Sequence, residues 1–428
     1  MAGTATAGHG TEAAASHSGL GELLLRLVGA LLQLLATWAV VHALAPEEAG
    51  VYFRGFVIAC GLAALLRSKY ELYMAHHLIG RRAAITGIAD GVLLIQLGRR
   101  VLLRSSLVCG ALLVITTDLD IQEPRFQPVL ETYLPFVLAI PFVSLSTFIG
   151  ETLRAANRTL FGMMVAAYAL NLSILLAVAL APPDAPLTLY TWAFLAGSIA
   201  AALLAAALAW RAFPVKLADA AQPICREVLE AVDQRALIGL ARGLLVWGPL
   251  GVLAVWAPAV QMATYAVAAR TALIVDFFLP ALNLAGTPDI LPASTPAQCQ
   301  RKALLRQLGA ALLYSSILVA AMLLAAPLTL ALYGEPYTAQ LTVYALLLSV
   351  QWANGVGRPG VRHAVVEWDT KRISVAVVSG AVAAVLVCAL GVSGYGALAA
   401  AGGALIGALI VNARAITSAL SQVSRGLA

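Results

Sequence analysis

Long apolar blocks separated by short polar gaps run through this chain, and each block has about the twenty residues that a helix needs to cross the hydrocarbon of a bilayer. A first set covers 23–44, 50–67, 101–117, 129–150, 160–181 and 187–210; the third of these is the shortest. After a polar stretch a second set covers 237–256, 262–284, 308–332, 340–357, 373–390 and 394–413. The pattern predicts an all-α polytopic membrane protein with twelve transmembrane helices.

Charge orients these helices. Of the 27 Lys and Arg, 22 fall in every second gap, and the intervening gaps hold only Arg125. Positive residues accumulate on cytoplasmic loops, so both termini are expected inside. The outward gaps carry Glu47, Glu48, Asp118, Asp120, Glu123, Asp184 and Glu335. The inward gap 67–104 holds Arg67, Lys69, Arg81, Arg82, Arg99, Arg100 and Arg104, and its residues 83–98 read as an amphipathic helix lying on the membrane surface. Residues 1–18 lack the positive n-region of a signal peptide and are expected to form a disordered cytoplasmic tail. The organisation expected is a bundle over 19–210, a cytoplasmic linker over 211–236 containing Pro214 and Pro223, a second bundle over 237–416, and a tail over 417–428.

Composition agrees: 61% of residues are hydrophobic and 11% charged, against about 25% charged in soluble domains. The net charge of +6 belongs to loops beside anionic lipid, and its dispersal argues against nucleic acid. Cys60, Cys109, Cys225, Cys299 and Cys388 form no CxxC and are expected as free thiols.

The two sets look like copies. The segment 45–52, from Ala45-Pro46 to Tyr52, recurs as 257–265, from Ala257-Pro258 to Tyr265, and Tyr52 and Tyr265 are 213 positions apart. Arg158 and Lys371 share that offset, and Arg154 and Asn157 answer to Arg362, Asp369 and Arg372. Six plus six helices in one orientation make a parallel repeat about the membrane normal.

Several motifs carry a resemblance. Leu44-Ala45-Pro46-Glu47-Glu48-Ala49-Gly50-Val51-Tyr52 is similar to the turn between the first two helices of the multidrug, oligosaccharidyl-lipid and polysaccharide (MOP) exporter superfamily, specifically its polysaccharide repeat-unit flippases (Wzx-like). Arg67-Ser68-Lys69-Tyr70-Glu71-Leu72 resembles their charged segment after the second helix. Further matches are 263–270, ending at Arg270, then Leu332-Tyr333-Gly334-Glu335-Pro336-Tyr337, and Gly394-Tyr395-Gly396-Ala397. Ala45 and Thr264 stand where the family has Gly. The resemblance implies two six-helix bundles around a central cavity, in a bacterial inner-membrane flippase. Its substrate would be a polyprenyl-diphosphate-linked oligosaccharide for exopolysaccharide or O-antigen synthesis, and glycosyltransferases and a polysaccharide polymerase would be its partners. A cation-coupled multidrug exporter of the same superfamily and a non-transporting scaffold for glycosyltransferases are the alternatives.

Chemical motifs are few. There is no GxxxxGK[ST] phosphate loop for ATP, and no HExxH, GxSxG or clustered carboxylate pair. An enzyme, a cofactor and a metal are therefore not expected. Charges inside spans are costly and mark function. Arg270 lies roughly 12 Å below the outer surface at about 1.5 Å per residue; it either holds a diphosphate, whose oxygens suit a guanidinium, or pairs with a carboxylate. Asp276 is either an ion-coupling site or the partner of Arg242. Arg26 and Arg242, in the inner thirds of the first and seventh spans, either snorkel or draw a lipid diphosphate between the halves. Arg54 near the outer surface serves the release side or anchors to lipid phosphate. Asn171, Gln351 and Asn354 are polar residues in hydrocarbon that need partners, and Asn171 is a cavity candidate. His76, His77 and His363 sit at cytoplasmic ends with no third metal ligand. Pro135, Pro141, Pro249 and Pro280 are expected to kink their helices.

Overall fold

The computed structural model describes residues 9–79, 89–122, 127–182, 184–215, 225–279, 297–366 and 370–425. Regular structure among them is helical: α1 (His9–Ala43), α2 (Pro46–Ile79), α3 (Asp90–Gln122), α4 (Gln127–Ala155), α5 (Thr159–Met163), α6 (Ala169–Leu180) and α7 (Leu187–Ala212). There follow α8 (Arg226–Asp233), α9 (Ala236–Trp256), α10 (Ala259–Ala272), α11 (Ala297–Leu324), α12 (Ala326–Ala331), α13 (Glu335–Thr338), α14 (Leu341–Val366), α15 (Thr370–Tyr395) and α16 (Ala397–Arg425). A π-turn at Met164–Tyr168 joins α5 to α6 in one span, and a break at Leu273 lets the α10 span continue to Leu279.

Ten helices are long and apolar enough to cross a bilayer; α3 and α14, with 33 and 26 residues but more polar sequences, bring the number among the described residues to twelve. The chain is a multi-pass membrane protein. Leu324 and Leu390 are more than four-fifths exposed, as side chains facing lipid are. Trp38, Trp192, Trp256 and Tyr395 are exposed at the ends of their helices that also carry Glu47 and Glu48, where aromatic rings settle at the headgroup level.

Two bundles repeat one packing scheme. In the first, α4 packs on α2, α3 and α7, and α6 on α1 and α7; in the second, α14 packs on α10, α11 and α16, and α15 on α9 and α16. Tyr52 lies six residues past the Pro46 that opens α2, and Tyr265 six past the Ala259 that opens α10. Both are buried. One apolar core runs through both bundles, with Tyr52, Phe136 and Phe194 on one side and Tyr265, Tyr344 and Leu348 on the other.

Several boundaries differ from the expected ones. Helix α1 begins at His9, so residues 9–18 are not an unstructured tail: Glu12 and the run Ala13 to Ala15 are helix formers with no proline to stop them. Residues 1–8 lie outside the described part. Likewise α16 runs through 417–425, where Ser421 and Ser424 fold their hydroxyls onto carbonyls three residues back and Ala419 packs on Leu304. The inward gap 67–104 is mostly helix. Residues 67–79 extend α2, and 90–98 extend the third span instead of lying flat on the membrane, because Leu93, Leu94 and Leu97 bury against Tyr70, Tyr73, Met74 and Phe148. Residues 80–88 are not described. In the linker, Val228 and Val232 of α8 join the same cluster, and residues 216–224 lie outside the described part, as does Pro280. Pro135 and Pro141 sit inside α4, and Pro249 inside α9.

Helix α2 is the main seam between the bundles, packing on both α9 and α10. A Cβ on Gly50 would stand 1.9 Å from the backbone oxygen of Ala259, so the outer ends of α2 and α10 touch backbone to backbone. Further in, Gly243 of α9 lies against the Leu65 side chain. The other seam, between α1 and α10, is where the charged site lies.

Candidate anion site between the bundles

The site is built on Arg270. Its helix opens at Ala259, so Arg270 sits eleven residues in, about 16 Å along the axis and near the middle of a ~30 Å hydrocarbon layer. Arg270 as a whole residue is half-buried. Its Nε donates to Thr37 Oγ1 at 2.7 Å, its Nη2 donates to Asn171 Oδ1 at 3.2 Å, and its carbon lies 4.9 Å from the centre of the Phe56 ring. Gln33 closes the arrangement by donating through Nε2 to the Arg270 carbonyl at 3.3 Å. Three helices of the first bundle thus converge on one arginine of the second.

All these acceptors are neutral. Among the described residues no carboxylate lies in ion-pair range of Arg270, and Nη1 has no protein acceptor. The expected alternative, a pair with a neighbouring carboxylate, is not what the described residues contain. Neutral oxygens and an aromatic face orient a guanidinium without cancelling its charge, so the arrangement presents a net cation with a donor to spare.

Local structure explains the convergence. Gln33 and Thr37 are four apart on α1 and share a face, and Thr37 donates to the Gln33 carbonyl at 2.7 Å. Asn171 follows the π-turn; its Nδ2 donates to the Ala167 carbonyl inside that turn at 2.7 Å, which leaves Oδ1 aimed at Arg270. Tyr168, also in the turn, donates to the Leu25 carbonyl of α1 at 2.6 Å and ties the two helices together.

The other sequence candidates fall elsewhere. Asp276 pairs with Arg358 of α14 and not with Arg242. The correction has a simple cause: α10 packs on α14 within its bundle, whereas α9, which carries Arg242, faces α2 and α15. Arg242 is exposed, and its charge acts on Glu71 of α2, as do those of Arg67 and Glu151. Arg26 is eleven residues from Thr37 along α1, about 16 Å closer to the N-terminal end of that helix. Arg54 spans the outer seam: Nη2 donates to the Ala257 carbonyl at the end of α9, 2.7 Å away. Gln351 is buried, and Asn354 accepts from Asn412 Nδ2 at 3.0 Å, which provides the interhelical partner its position requires. His77 is hydrogen-bonded to Asp90 at 3.1 Å. No group of three or more metal-ligating side chains occurs among the described residues.

Outside the spans the Asp233 and Tyr337 titrations are both shifted. Lys69 donates to the Asp233 carboxylate and, with Arg104 and Arg100 nearby, holds it below the ordinary range. Burial pushes the Tyr337 phenol up to about 12, and Glu47 of the other bundle adds to it.

Thr37, Gln33, Phe56 and Arg358 were missed in the sequence. A polar pair four residues apart in an apolar span was the available signal for the first two. Phe56 left none.

This architecture, two repeated six-helix bundles meeting at the second and eighth spans, has solved counterparts. No family model and no curated protein matches the sequence. Among solved structures, the lipid II flippase MurJ in an inward closed conformation is similar at a TM-score of 0.67 and 12% identity, over 95% of this chain and 91% of that one. A multidrug resistance MATE family transporter in an inward-facing conformation matches at 0.64 and 16%, over 95% and 99%. A MOP superfamily transporter from Pyrococcus furiosus matches at 0.66 and 14%, over 97% and 96%. The chain has the MOP-superfamily fold. The fold expected from the resemblance is therefore present, and MOP proteins align with it over nearly their whole length.

Proposed function

We propose that this chain is a flippase of the bacterial inner membrane that carries a polyprenyl-diphosphate-linked oligosaccharide outward by rocking one bundle against the other. One observation carries the reading: Arg270, midway through the membrane at the seam between bundles, is held by neutral acceptors with its charge uncompensated among the described residues. A diphosphate supplies the missing anion, and its oxygens suit a planar guanidinium. Both bundles grip the same group, so moving one against the other necessarily alters the site. We place the headgroup beside Arg270 and Asn171, at the seam between the bundles. Arg242 and Arg26 serve as cytoplasmic attractors, and Arg54 works at the outer closure.

The solved relatives support transport in place of catalysis, and the MurJ match names lipid II. A multidrug exporter, the activity named for the MATE matches, is favoured by no residue near Arg270, because a cation repels cationic drugs. For the Pyrococcus furiosus protein, reverse polarity of the binding pocket suggests a different function. The expected cytoplasmic termini and the link to glycosyltransferases and a polymerase belong to this reading.

The test is a flipping assay in reconstituted vesicles with a labelled polyprenyl-diphosphate oligosaccharide. Transport by the wild type and its loss in Arg270→Ala are expected. Equal rates for the two proteins remove the anion site, and extrusion of cationic dyes without lipid flipping supports the exporter.

A further inference from the structure

Among the described residues the Asp276–Arg358 pair is the charge contact within the second bundle. It joins two transmembrane helices of the second bundle, α10 and α14, yet neither partner is sealed by packing: the Asp276 side chain is 45% exposed and that of Arg358 32%. A pair that served packing alone has no need of that access. Asp276 also lies in the span of Arg270, past the break at Leu273 and six residues nearer the cytoplasm, about 9 Å along the axis. The second bundle therefore bears two guanidiniums at two depths, the inner one covered by a carboxylate and the central one with no carboxylate in range among the described residues.

We infer that Arg358 is a second anion station, on the cytoplasmic side of Arg270, and that Asp276 is its resident, displaceable counter-ion. The inference rests on the diphosphate reading given above. A diphosphate arriving from the cytoplasm presents the same oxygen chemistry as the Asp276 carboxylate with more negative charge, and it exchanges for that carboxylate on the guanidinium. The freed carboxylate then repels the phosphate from behind, which favours its onward passage to Arg270, where no carboxylate among the described residues competes. A bare inner arginine would hold the anion too firmly to release it; conduction along a series of sites needs each to be weak enough to leave.

The test compares signs. Binding of farnesyl diphosphate to the purified full-length protein in detergent is measured by calorimetry for wild type, Asp276→Asn, Arg358→Gln, the double variant and Arg270→Gln, each checked for thermal unfolding. Displacement predicts opposite effects of the two halves of the pair: Asp276→Asn tightens binding about tenfold and Arg358→Gln weakens it about tenfold, the size of one hydrogen bond to a charged group. The double variant matches Arg358→Gln. A pair that only holds helices together predicts the same direction for both, and that outcome overturns the inference. Weakened binding in Arg270→Gln with no change in either member of the pair also overturns it while leaving the central site intact. No change in any variant overturns the diphosphate reading itself. Inorganic pyrophosphate in place of farnesyl diphosphate separates the sources: the opposite-sign pattern with both ligands supports a station for any diphosphate, and with the prenyl compound alone a station for lipid-linked substrate.

Discussion

Arg270 of the second bundle donates through Nε to the hydroxyl of Thr37 in the first, 2.7 Å away. This bond crosses the seam between the bundles, so it sets how the cation is aimed. Thr37→Val keeps the shape and removes the acceptor. A hydrogen bond to a charged group contributes about 1.5–3 kcal/mol, and flipping in vesicles is expected to fall about tenfold, less than the loss in Arg270→Ala. An unchanged rate would mean that Thr37 does not position the guanidinium.

Arg54 joins the bundles at the outer end by its bond to the Ala257 carbonyl, beside the contact of Gly50 with Ala259. Arg54→Ala removes one of these ties. In a protein freed of its native cysteines, Met262→Cys is fully buried at this end. Its labelling by a membrane-impermeant maleimide is expected to rise several-fold when Arg54 is replaced. Equal labelling counts against a role for Arg54 in closing the outer side.

Two glycines predict opposite stability changes. A Cβ on Gly50 meets a backbone oxygen at 1.9 Å, whereas one on Gly251 meets nothing within 4 Å. Thermal unfolding in detergent is expected to show Gly50→Ala lowering the midpoint. Gly251→Ala is expected to leave it equal or raise it, since alanine is favoured over glycine inside a helix by roughly 0.5–1 kcal/mol.

The tie between Lys69 of α2 and Asp233 of α8 has a defined pH window. The carboxyl is held below its ordinary value, so the folded form favours the charged state. Its contribution is complete above the unfolded value near 3.9 and disappears as pH falls through the lowered one. Hydrogen exchange of the α8 amides is expected to be constant from pH 7 to about pH 5, after correction for intrinsic rates. Asp233→Asn should loosen α8 only slightly, because Asp233 is largely exposed and such pairs contribute about 0–1 kcal/mol. Marked loosening of α8 between pH 7 and pH 5 would contradict the assignment.

The twelve spans and the repeat were legible because lipid imposes length and hydropathy directly on sequence, and the 213-residue offset of Tyr52 and Tyr265 survives as equal helical register. Arg270 was legible for the same reason: a charge in an apolar run stands out. Its partners were not, since the angle between α1, α6 and α10 is set by tertiary packing. The partner of Asp276 was missed because Arg358 was placed in a loop at the polar edge of its span. In the folded chain α14 continues eight residues further, to Val366, and brings Arg358 onto a helical wall. The charged stretch after the second span was read as loop for a similar reason: Arg67, Lys69 and Glu71 look like a loop until the apolar Tyr70, Tyr73 and Met74 between them find the start of α3.

The π-turn at Met164–Tyr168 makes the length of one helix a functional variable. A π-turn holds one residue more than an α-turn, and each residue turns a helix by about 100°. Deleting one residue there would replace the wide turn that carries Ala167, which holds the Asn171 amide, and Tyr168, which ties the span to α1. Within this fold, insertion or deletion of a single codon in the fifth span can thus change how the central cation is held, an effect that comparison of aligned residue identities would overlook.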